Sequence, residues 1–401
     1  MATMSKPHIA ILGAGPTGVE AALAAAEHGY PFTLYEAAPA VAGHMRDWGH
    51  VQLFTPWSMN VSPRMRRVLE TAGHSVPDGD AECPAGAELA GQVLEPLMAL
   101  PQFQDSMRLG TRVRRIGRRG LLKHEEIGTA ERGSRPFRLL LEDTAGQHIE
   151  EADIVLDCTG SSEPNPVGDG GIPAPGEESL TPELIVHRIP NFDTEADAWE
   201  GRRVLLLGAG HSAQTALLGL LGLGSGTSVV WAIRSHGPAQ PLDDDPLPER
   251  ARLMAEAAKL AATPPDNLRV EAGATVELIT VDPESPGITV QLRTAEGTSK
   301  TLEVDRILAL TGRVGDHQLY RQLQVHECYA TSGPMKLAAA LLGSSGGGGD
   351  CLAQTSLGAD TLKNPEPGFF ILGSKSYGRR NDYLMRVGWE QVDEVFSLLA
   401  D

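Results

Sequence analysis

The sequence predicts an α/β fold of two domains, each built on a parallel sheet with a glycine-rich turn at its edge. The motif Gly-x-Gly-x-x-Gly stands at 13–18, and the related Gly-x-Gly-x-x-Ala stands at 208–213. Each follows an apolar run typical of a strand, at 8–12 and at 204–207, and each opens a segment typical of a helix. The 401 residues are also enough for two domains.

The first motif supplies four predicted cofactor-binding residues, namely Gly13, Gly15, Pro16 and Gly18. In such motifs the first glycine permits a tight turn and the second lets the backbone approach a pyrophosphate. The third position lets the helix pack on the strand. The phosphates would lie at the start of a helix predicted at 19–28, where free N–H groups favour anions.

A carboxylate follows the next predicted strand, at Glu36, about 20 residues beyond the first motif. A carboxylate at this position suits a ribose hydroxyl and repels a 2′-phosphate. It predicts the adenosine half of FAD, or NAD, at the first site. The alternative is an exposed acid at a strand end.

The second motif predicts a second set of cofactor-binding residues: Gly208, Gly210, His211, Ser212 and Ala213. Its helix is predicted at 214–223. The next predicted strand, at 229–233, ends in Arg234. Because a guanidinium pairs with a 2′-phosphate, Arg234 predicts NADPH at this site rather than NADH. The alternative is a surface arginine.

Two similar segments, 152–160 and 304–312, read as apolar strands that end in Thr-Gly. They indicate where the chain leaves the first domain and returns to it. We therefore predict a discontinuous FAD domain at 1–165 and 301–401, with the NAD(P)H domain inserted at 177–300. A linker rich in proline and glycine is predicted at 163–176.

Four further segments have readable patterns. They predict a small antiparallel β insertion at 109–148, a flexible glycine-rich loop at 343–350, a buried strand at 368–373 and an amphipathic helix at 388–399.

Composition excludes several classes of partner. The net charge of −18 argues against nucleic acid and anionic membranes. The basic cluster at 112–119 is interpreted as a solvated strand edge, with a nucleic-acid patch as the alternative. The apolar stretch 204–223 is about long enough to span a bilayer, but its glycine turn breaks it.

The four cysteines contain no Cys-x-x-Cys pair, and no metal-ligand spacing is present. The N-terminus runs directly into a strand and leaves no room for a signal peptide. These features predict a cytoplasmic protein without a metal or a disulfide framework.

These motifs resemble those of the flavoproteins with two dinucleotide-binding domains. That group contains flavin-containing monooxygenases, N-hydroxylating monooxygenases and thioredoxin-reductase-like enzymes. The resemblance covers nearly the whole chain, and it implies FAD and NADPH as cofactors. By it, six further residues are implied in cofactor binding: Gly43, His44, Thr159, Gly160, Gly373 and Ser374.

Three features resemble the monooxygenase branch. Residues 210–213 resemble a Gly-Asn-Ser-Gly/Ala turn, and His187 stands near the position of a histidine in the monooxygenase fingerprint, without its flanking Phe-x-Gly. Residues 58–62 resemble a Thr-Asn-x-Ser segment near the reactive flavin face. Asn60 is thereby the candidate catalytic residue, and the alternative is an asparagine that caps a turn.

Two features depart from the group's pattern. The thioredoxin-reductase-like members carry a redox cysteine pair in the inserted domain, whereas this chain has no cysteine between Cys158 and Cys328. Many members have Gly-Asp on the last strand, where this chain has Gly373 followed by Ser374.

The resemblance implies an FAD- and NADPH-dependent oxidoreductase. The leading hypothesis is a monooxygenase that uses molecular oxygen and a flavin C4a-hydroperoxide to oxygenate a nitrogen or sulfur of a small molecule. One alternative is an NADPH-dependent reductase of low-molecular-weight disulfides or quinones. A second is a non-catalytic redox-sensing flavoprotein. A homodimer is left open as the assembly.

Overall fold

The computed structural model describes residues 6–241, 245–281, 287–344 and 354–400. The chain divides into two compact units. The first comprises Met1–Glu163 with Val314–Asp401, and the second comprises Pro164–Arg313. The second unit is therefore an insertion in the first. The chain passes between them three residues after Gly160 and one residue after Gly312, close to the two predicted Thr-Gly segments.

The strands, in chain order, are β1 (Ile9–Leu12), β2 (Phe32–Tyr35), β3 (Met107–Arg108), β4 (Arg112–Arg118), β5 (Phe137–Asp143), β6 (Gly146–Ala152), β7 (Ile154–Asp157), β8 (Glu163–Pro164), β9 (Ile185–Val186), β10 (Arg203–Leu207), β11 (Ser228–Ile233), β12 (Leu268–Ala272), β13 (Thr275–Val281), β14 (Ile288–Arg293), β15 (Ser299–Val304), β16 (Arg306–Ala309), β17 (Arg313–Val314) and β18 (Phe369–Ile371).

The α-helices are α1 (Pro16–Glu27), α2 (Gly43–Asp47), α3 (Trp57–Asn60), α4 (Pro63–Thr71), α5 (Gly86–Leu89), α6 (Glu95–Met98), α7 (Pro101–Gln104), α8 (Ala130–Ser134), α9 (Ala196–Trp199), α10 (His211–Gly222), α11 (Pro248–Ala262), α12 (Met335–Ser344), α13 (Ala359–Leu362), α14 (Ser374–Tyr377) and α15 (Met385–Ala400). A π-helical segment, Ala90–Leu94, joins α5 to α6.

The first unit contains a five-stranded parallel sheet in the order β18-β7-β1-β2-β3. Strand β1 lies in the middle, with β2 on one side and β7 on the other. The carboxyl ends of parallel strands meet at one edge, and strand order reverses beside β1. That position is where open α/β sheets bind their ligands.

The second unit repeats this plan with a parallel sheet in the order β12-β11-β10-β16-β9. Strand β10, which leads into the second glycine motif, occupies the middle position. Strands β13, β14 and β15 form an antiparallel sheet in the same unit. The predicted α/β fold with an inserted domain is confirmed. The chain returns to the first unit at 313–314 rather than at 301. The reason is that β15 pairs with β14 and β16 pairs with β10, and all four strands belong to the second unit.

Helices α1 and α15 share one hydrophobic core with Ile9, Ile11 and Leu34 of the first sheet. Val392, Val395 and Phe396 of α15 are fully buried, as the predicted amphipathic helix requires. His28, at the end of α1, stacks on Phe396 with 5.4 Å between the ring centroids. Tyr30 donates its hydroxyl hydrogen to the Leu399 carbonyl at 2.7 Å.

The predicted β insertion is confirmed as the antiparallel sheet β4-β5-β6. Strand β4 lies at its edge, and Arg112, Arg114 and Arg115 are exposed as expected. The prediction of a solvated edge is wrong for Arg118, which is only 4 % exposed. Its guanidinium pairs with buried Glu366, so alternation along β4 did not reveal its environment.

The predicted linker at 163–176 contains the boundary between the units, at Glu163 and Pro164, and its later residues belong to the second unit. Val167 and Ala174 are buried, and the Glu177 carboxylate accepts hydrogen bonds from the N–H groups of both. A Cβ atom on Gly176 would lie 1.9 Å from the Ile279 carbonyl oxygen, so the backbones approach closely.

The predicted glycine-rich loop lies outside the described residues from position 345 onward, and its first two residues end α12. Across the part of the chain that the structure describes, no helix is long and apolar enough to cross a membrane.

Candidate functional site

The first glycine motif forms the turn between β1 and α1. Gly13 has φ +93°, which an L side chain rarely adopts, and a Cβ atom there would lie 2.8 Å from the Cys158 carbonyl oxygen. A Cβ atom on Gly18 would lie 1.8 Å from the Gly13 carbonyl oxygen. Both glycines are therefore required by the fold itself. Helix α1 begins at Pro16, three residues before the predicted start.

Gly15 differs from its neighbours, because a Cβ atom there would meet no atom within 4 Å. It is the N-cap residue of α1, and the helix starts immediately after it. The space beside Gly15 is thus open toward the helix N-terminus. This is the geometry that an anionic pyrophosphate needs.

The Glu36 carboxylate lies against this turn. Its oxygens accept the backbone N–H groups of Ala14 and Ala38, each at 2.8 Å. A Cβ atom on Gly43 would lie 2.1 Å from the Ala38 Cβ, so Gly43 lets α2 approach the same turn. His44 is half-exposed, and its Nδ1 lies 3.6 Å from an Asp47 carboxylate oxygen.

The turn that follows β18, at residues 373–374, lies close to the first glycine motif. A Cβ atom on Gly373 would lie 2.6 Å from the Thr17 hydroxyl, and one on Gly160 would lie 3.4 Å from the Ser374 hydroxyl. The segments 159–160 and 373–374 therefore meet near the start of α1. Residues predicted from four separate parts of the first unit lie along one sheet edge.

Asn60 is buried, and its side chain is committed to its own loop. The amide donates to the carbonyls of Thr55 and Pro56 at 2.7 and 2.9 Å, and its oxygen accepts the Thr55 hydroxyl at 2.9 Å. Asn60 thus shapes residues 55–60, whereas the Ser62 hydroxyl caps α4. The alternative of an asparagine that holds a turn fits these bonds, and a flavin contact by Asn60 stays a prediction.

The second glycine motif has the same geometry between β10 and α10. Gly208 has φ +127°, and a Cβ atom there would lie 2.3 Å from the Leu310 carbonyl oxygen. A Cβ atom on Gly210 would meet nothing within 4 Å. Ala213, at the third position, is fully buried. Helix α10 begins at His211, again three residues before the predicted start.

The other predicted residues of the second site flank this turn. Ser212 is exposed on the first turn of α10. Burial, and then the nearby Arg250 charge, lower the pKa of the half-buried His211. Arg234 is exposed directly after β11, and no described residue pairs with its guanidinium.

Sequence reasoning missed a residue that supports this turn. Trp231, in the middle of β11, is fully buried and donates its indole N–H to the Gly208 carbonyl at 2.8 Å. A tryptophan in an apolar strand is predicted to be a core residue, and the sequence gives no sign of the hydrogen bond to Gly208.

The described cysteines differ in environment. Cys158 is buried, with its backbone close to Gly13 and its Cβ close to Gly18. Burial raises the pKa of its thiol. Cys328 is buried as well, but hydrogen bonds from the backbone and hydroxyl of Thr331 lower the pKa of its thiol. Cys351 lies outside the described residues. The described residues also contain no group of three or more His, Cys, Asp or Glu side chains that could hold a metal ion.

The sequence matches a known family over residues 7–329, and the description of that family is pyridine nucleotide-disulphide oxidoreductase. The chain belongs to the pyridine nucleotide-disulphide oxidoreductase family. This membership confirms the resemblance to two-domain flavoproteins, and it implies a flavin and a nicotinamide nucleotide. The open sides of Gly15 and Gly210 fit two such groups.

Solved structures of the family's fold extend over the whole chain. The bacillithiol disulfide reductase of Bacillus cereus is 18 % identical, with a TM-score of 0.66 and 99 % of each chain covered. The ornithine hydroxylase of Pseudomonas aeruginosa is 16 % identical, with a TM-score of 0.65 and 98 % of each chain covered. The thioredoxin reductase of Lactococcus lactis is 15 % identical, with a TM-score of 0.60, and the match covers 98 % of this chain and 99 % of that one.

At these identities the similarity shows a shared fold, and the three titles name different reactions. No curated protein sequence matches the chain significantly. As a family member, this protein is a flavin-dependent oxidoreductase.

Proposed function

We propose that this protein is an FAD- and NADPH-dependent monooxygenase that oxygenates a nitrogen or sulfur atom of a small molecule. Molecular oxygen is the second substrate. One oxygen atom enters the product and the other leaves as water, while NADPH supplies two electrons. FAD, when bound, accepts hydride from NADPH and passes electrons to oxygen.

Assignment of FAD to the first unit is supported by Gly15 and Glu36. The open side of Gly15 leaves room for a pyrophosphate at the α1 N-terminus. Glu36 is held against the same turn by two N–H groups, which supports a role for its carboxylate in accepting a hydrogen bond from the ribose of FAD. A second phosphate on that ribose would be repelled by this charge.

Assignment of NADPH to the second unit is supported by Arg234. Its guanidinium is exposed at the end of β11, unpaired by any residue the structure describes, and one strand away from the Gly208–Gly210 turn. An arginine in this position can form a charge-assisted contact with a 2′-phosphate. Burial and the Arg250 charge lower the pKa of His211, which favours the neutral imidazole at the start of α10.

The observation that favours oxygenation over disulfide reduction concerns the thiols. The sequence has no cysteine between Cys158 and Cys328, so the inserted unit carries no dithiol. Cys158 is buried, and the raised pKa of its thiol makes it a poor nucleophile. Reduced flavin in this chain therefore lacks a thiol relay in the inserted unit.

A second candidate is a reductase of low-molecular-weight disulfides. Hydrogen bonds from Thr331 lower the pKa of the Cys328 thiol, which favours the thiolate that attacks a disulfide, although Cys328 is only 4 % exposed. In that reaction the disulfide accepts two electrons and two protons and yields two thiols.

The test is anaerobic reduction of the flavin by NADPH, followed by mixing with oxygen and a panel of amines and thioethers. We expect NADPH to bleach the flavin and product to form with uptake of one oxygen atom from labelled dioxygen. Reoxidation that releases only peroxide, together with fast reoxidation by disulfides, would favour the reductase. A flavin that NADPH does not reduce would favour the redox-sensing alternative.

A further inference from the structure

Lys375 is a charged residue in the interior of the first unit. Its side chain is 1 % exposed, and the Asp157 carboxylate beside it is fully buried, at 2.6 Å from Nζ. Nζ also donates to the Thr159 hydroxyl at 3.1 Å and to the Asp316 carbonyl at 2.9 Å. The three hydrogens of the ammonium group therefore have three acceptors, two on the segment 157–159 and one at Asp316.

The fold makes room for this lysine. A Cβ atom on Gly315 would lie 2.5 Å from the Lys375 Cγ, so the lysine stem packs directly on the backbone of residue 315. The Tyr320 ring lies beside the ammonium group, with Nζ 5.1 Å from the ring centroid. A buried ion pair costs desolvation energy, so its retention in a packed interior calls for a role.

The Asp157 carboxylate connects the lysine to the Thr159–Gly160 segment. It accepts the Thr159 hydroxyl at 2.6 Å and the Thr159 backbone N–H at 3.2 Å. Lys375 lies on α14, one position after Ser374 and two positions after Gly373. One ion pair thus ties together the two backbone segments at which FAD is expected.

We propose that Lys375 is a positioning residue for the flavin and that the Asp157–Lys375 pair sets the local charge that the flavin experiences. The pair holds residues 159–160 and 373–374 in the arrangement that receives FAD. Since all three lysine hydrogens are already donated, Lys375 acts through Thr159 and the 373–374 turn. This proposal rests on the assignment of FAD to the first unit.

The charge effect has a definite sign. Reduction adds negative charge to a flavin, so a nearby cation favours the reduced form and a nearby anion opposes it. Removal of the lysine charge should lower the midpoint potential of bound FAD. Removal of the aspartate charge should raise it. A purely structural role would not shift the potential in opposite directions.

The experiment compares Lys375→Met, Asp157→Asn and the double variant with the wild type. Apoprotein is titrated with FAD, and the midpoint potential is measured by anaerobic dye equilibration without substrate or oxygen. We expect the FAD dissociation constant of Lys375→Met to rise about 10-fold or more, because the residues 159–160 and 373–374 are then no longer held together. We expect opposite potential shifts in the two single variants and a near-wild-type potential in the double variant.

Lys363→Met is the matched control, because Lys363 forms an exposed pair with Asp360 in the same unit. It should change neither quantity. Single variants that shift the potential in the same direction, or not at all, would overturn the proposal.

Lys375→Met leaves a buried carboxylate unpaired, so it can fail to fold. In that case FAD affinity is measured on the double variant, which removes both charges and leaves no unpaired carboxylate. Wild-type FAD affinity in a folded double variant would overturn the proposal. A wild-type protein that takes up no FAD would instead refute the cofactor assignment, and a wrong monooxygenase assignment would leave these binding and potential measurements unchanged.

Discussion

Arg132 and Glu366 form a two-pronged ion pair in the interior of the first unit, although 234 positions separate them in the chain. Arg132 Nε and Nη2 lie 3.0 and 2.8 Å from the same carboxylate oxygen, and both side chains are almost completely buried. Arg118 Nε donates to the other oxygen at 2.7 Å. A single carboxylate thus joins β4 and α8 of the β insertion to the segment before β18.

Glu366→Gln should destabilise the first unit strongly. The change leaves two buried guanidinium groups without a carboxylate, and breaking a buried pair in this way costs about 3–5 kcal/mol. Urea unfolding of the protein measures the loss. Asp360→Asn is the control, because its pair with Lys363 is exposed and should be worth about 0–1 kcal/mol. Equal, small losses in both variants would contradict a stabilising role of Glu366.

Gly15→Val should abolish FAD binding and leave the apoprotein folded. A side chain at Gly15 meets no protein atom within 4 Å of its Cβ, yet it occupies the space where we place the pyrophosphate. Flavin content and the thermal midpoint of the apoprotein are the two measurements. Gly18→Ala is the contrast, because its Cβ would lie 1.8 Å from the Gly13 oxygen and should disturb the fold itself. A Gly15→Val protein with a full complement of flavin would show that the first motif has been misread.

Arg234→Ala should raise the KM for NADPH and leave that for NADH nearly unchanged. Loss of a charge-assisted phosphate contact costs about 1.5–3 kcal/mol, which corresponds to roughly a 10- to 100-fold change. Steady-state kinetics with both nucleotides measure the effect. Arg252→Ala is a matched control, since Arg252 is exposed in the same unit and pairs with Glu249 and Glu256. Equal effects of Arg234→Ala on the two nucleotides would remove the case for NADPH.

The double variant Cys328→Ser, Cys351→Ser should keep its FAD, its oxidation of NADPH and its oxygenated product. A monooxygenase uses neither sulfur, because the flavin is the oxidant. The measurement is product formation together with turnover of disulfide substrates. If flavin reduction survives while disulfide turnover disappears, the reductase replaces the monooxygenase as the function.

Trp231→Phe should weaken NADPH and NADH binding to a similar degree. The substitution keeps an aromatic side chain but leaves the Gly208 carbonyl without its indole donor, and the lost hydrogen bond costs about 0.5–1.5 kcal/mol. Fluorescence titration with each nucleotide measures the change. Unchanged affinities, or loss of only one nucleotide, would argue that Trp231 is a core residue alone.

The glycine motifs were predictable because their constraints are local. Gly13 and Gly208 need positive φ angles, and the strand before and the helix after each are short-range patterns. Helix starts differed by three residues, since the motif residues themselves form the first turn. The insertion of one unit in the other also followed from the two similar segments that end in Thr-Gly.

The sequence by itself therefore determined the two nucleotide-binding turns and the strands that carry them. The tertiary structure decided which charged residues are buried around them. Arg118 lies in the same basic strand, β4, as the exposed Arg114 and Arg115, and Lys375 follows a glycine turn that gives no sign of burial. Their partners, Glu366 and Asp157, lie 248 and 218 positions away. Because each partner is so distant in the chain, the sequence around Arg118 or Lys375 shows no periodic pattern that predicts burial. Only the folded chain brings the partners together.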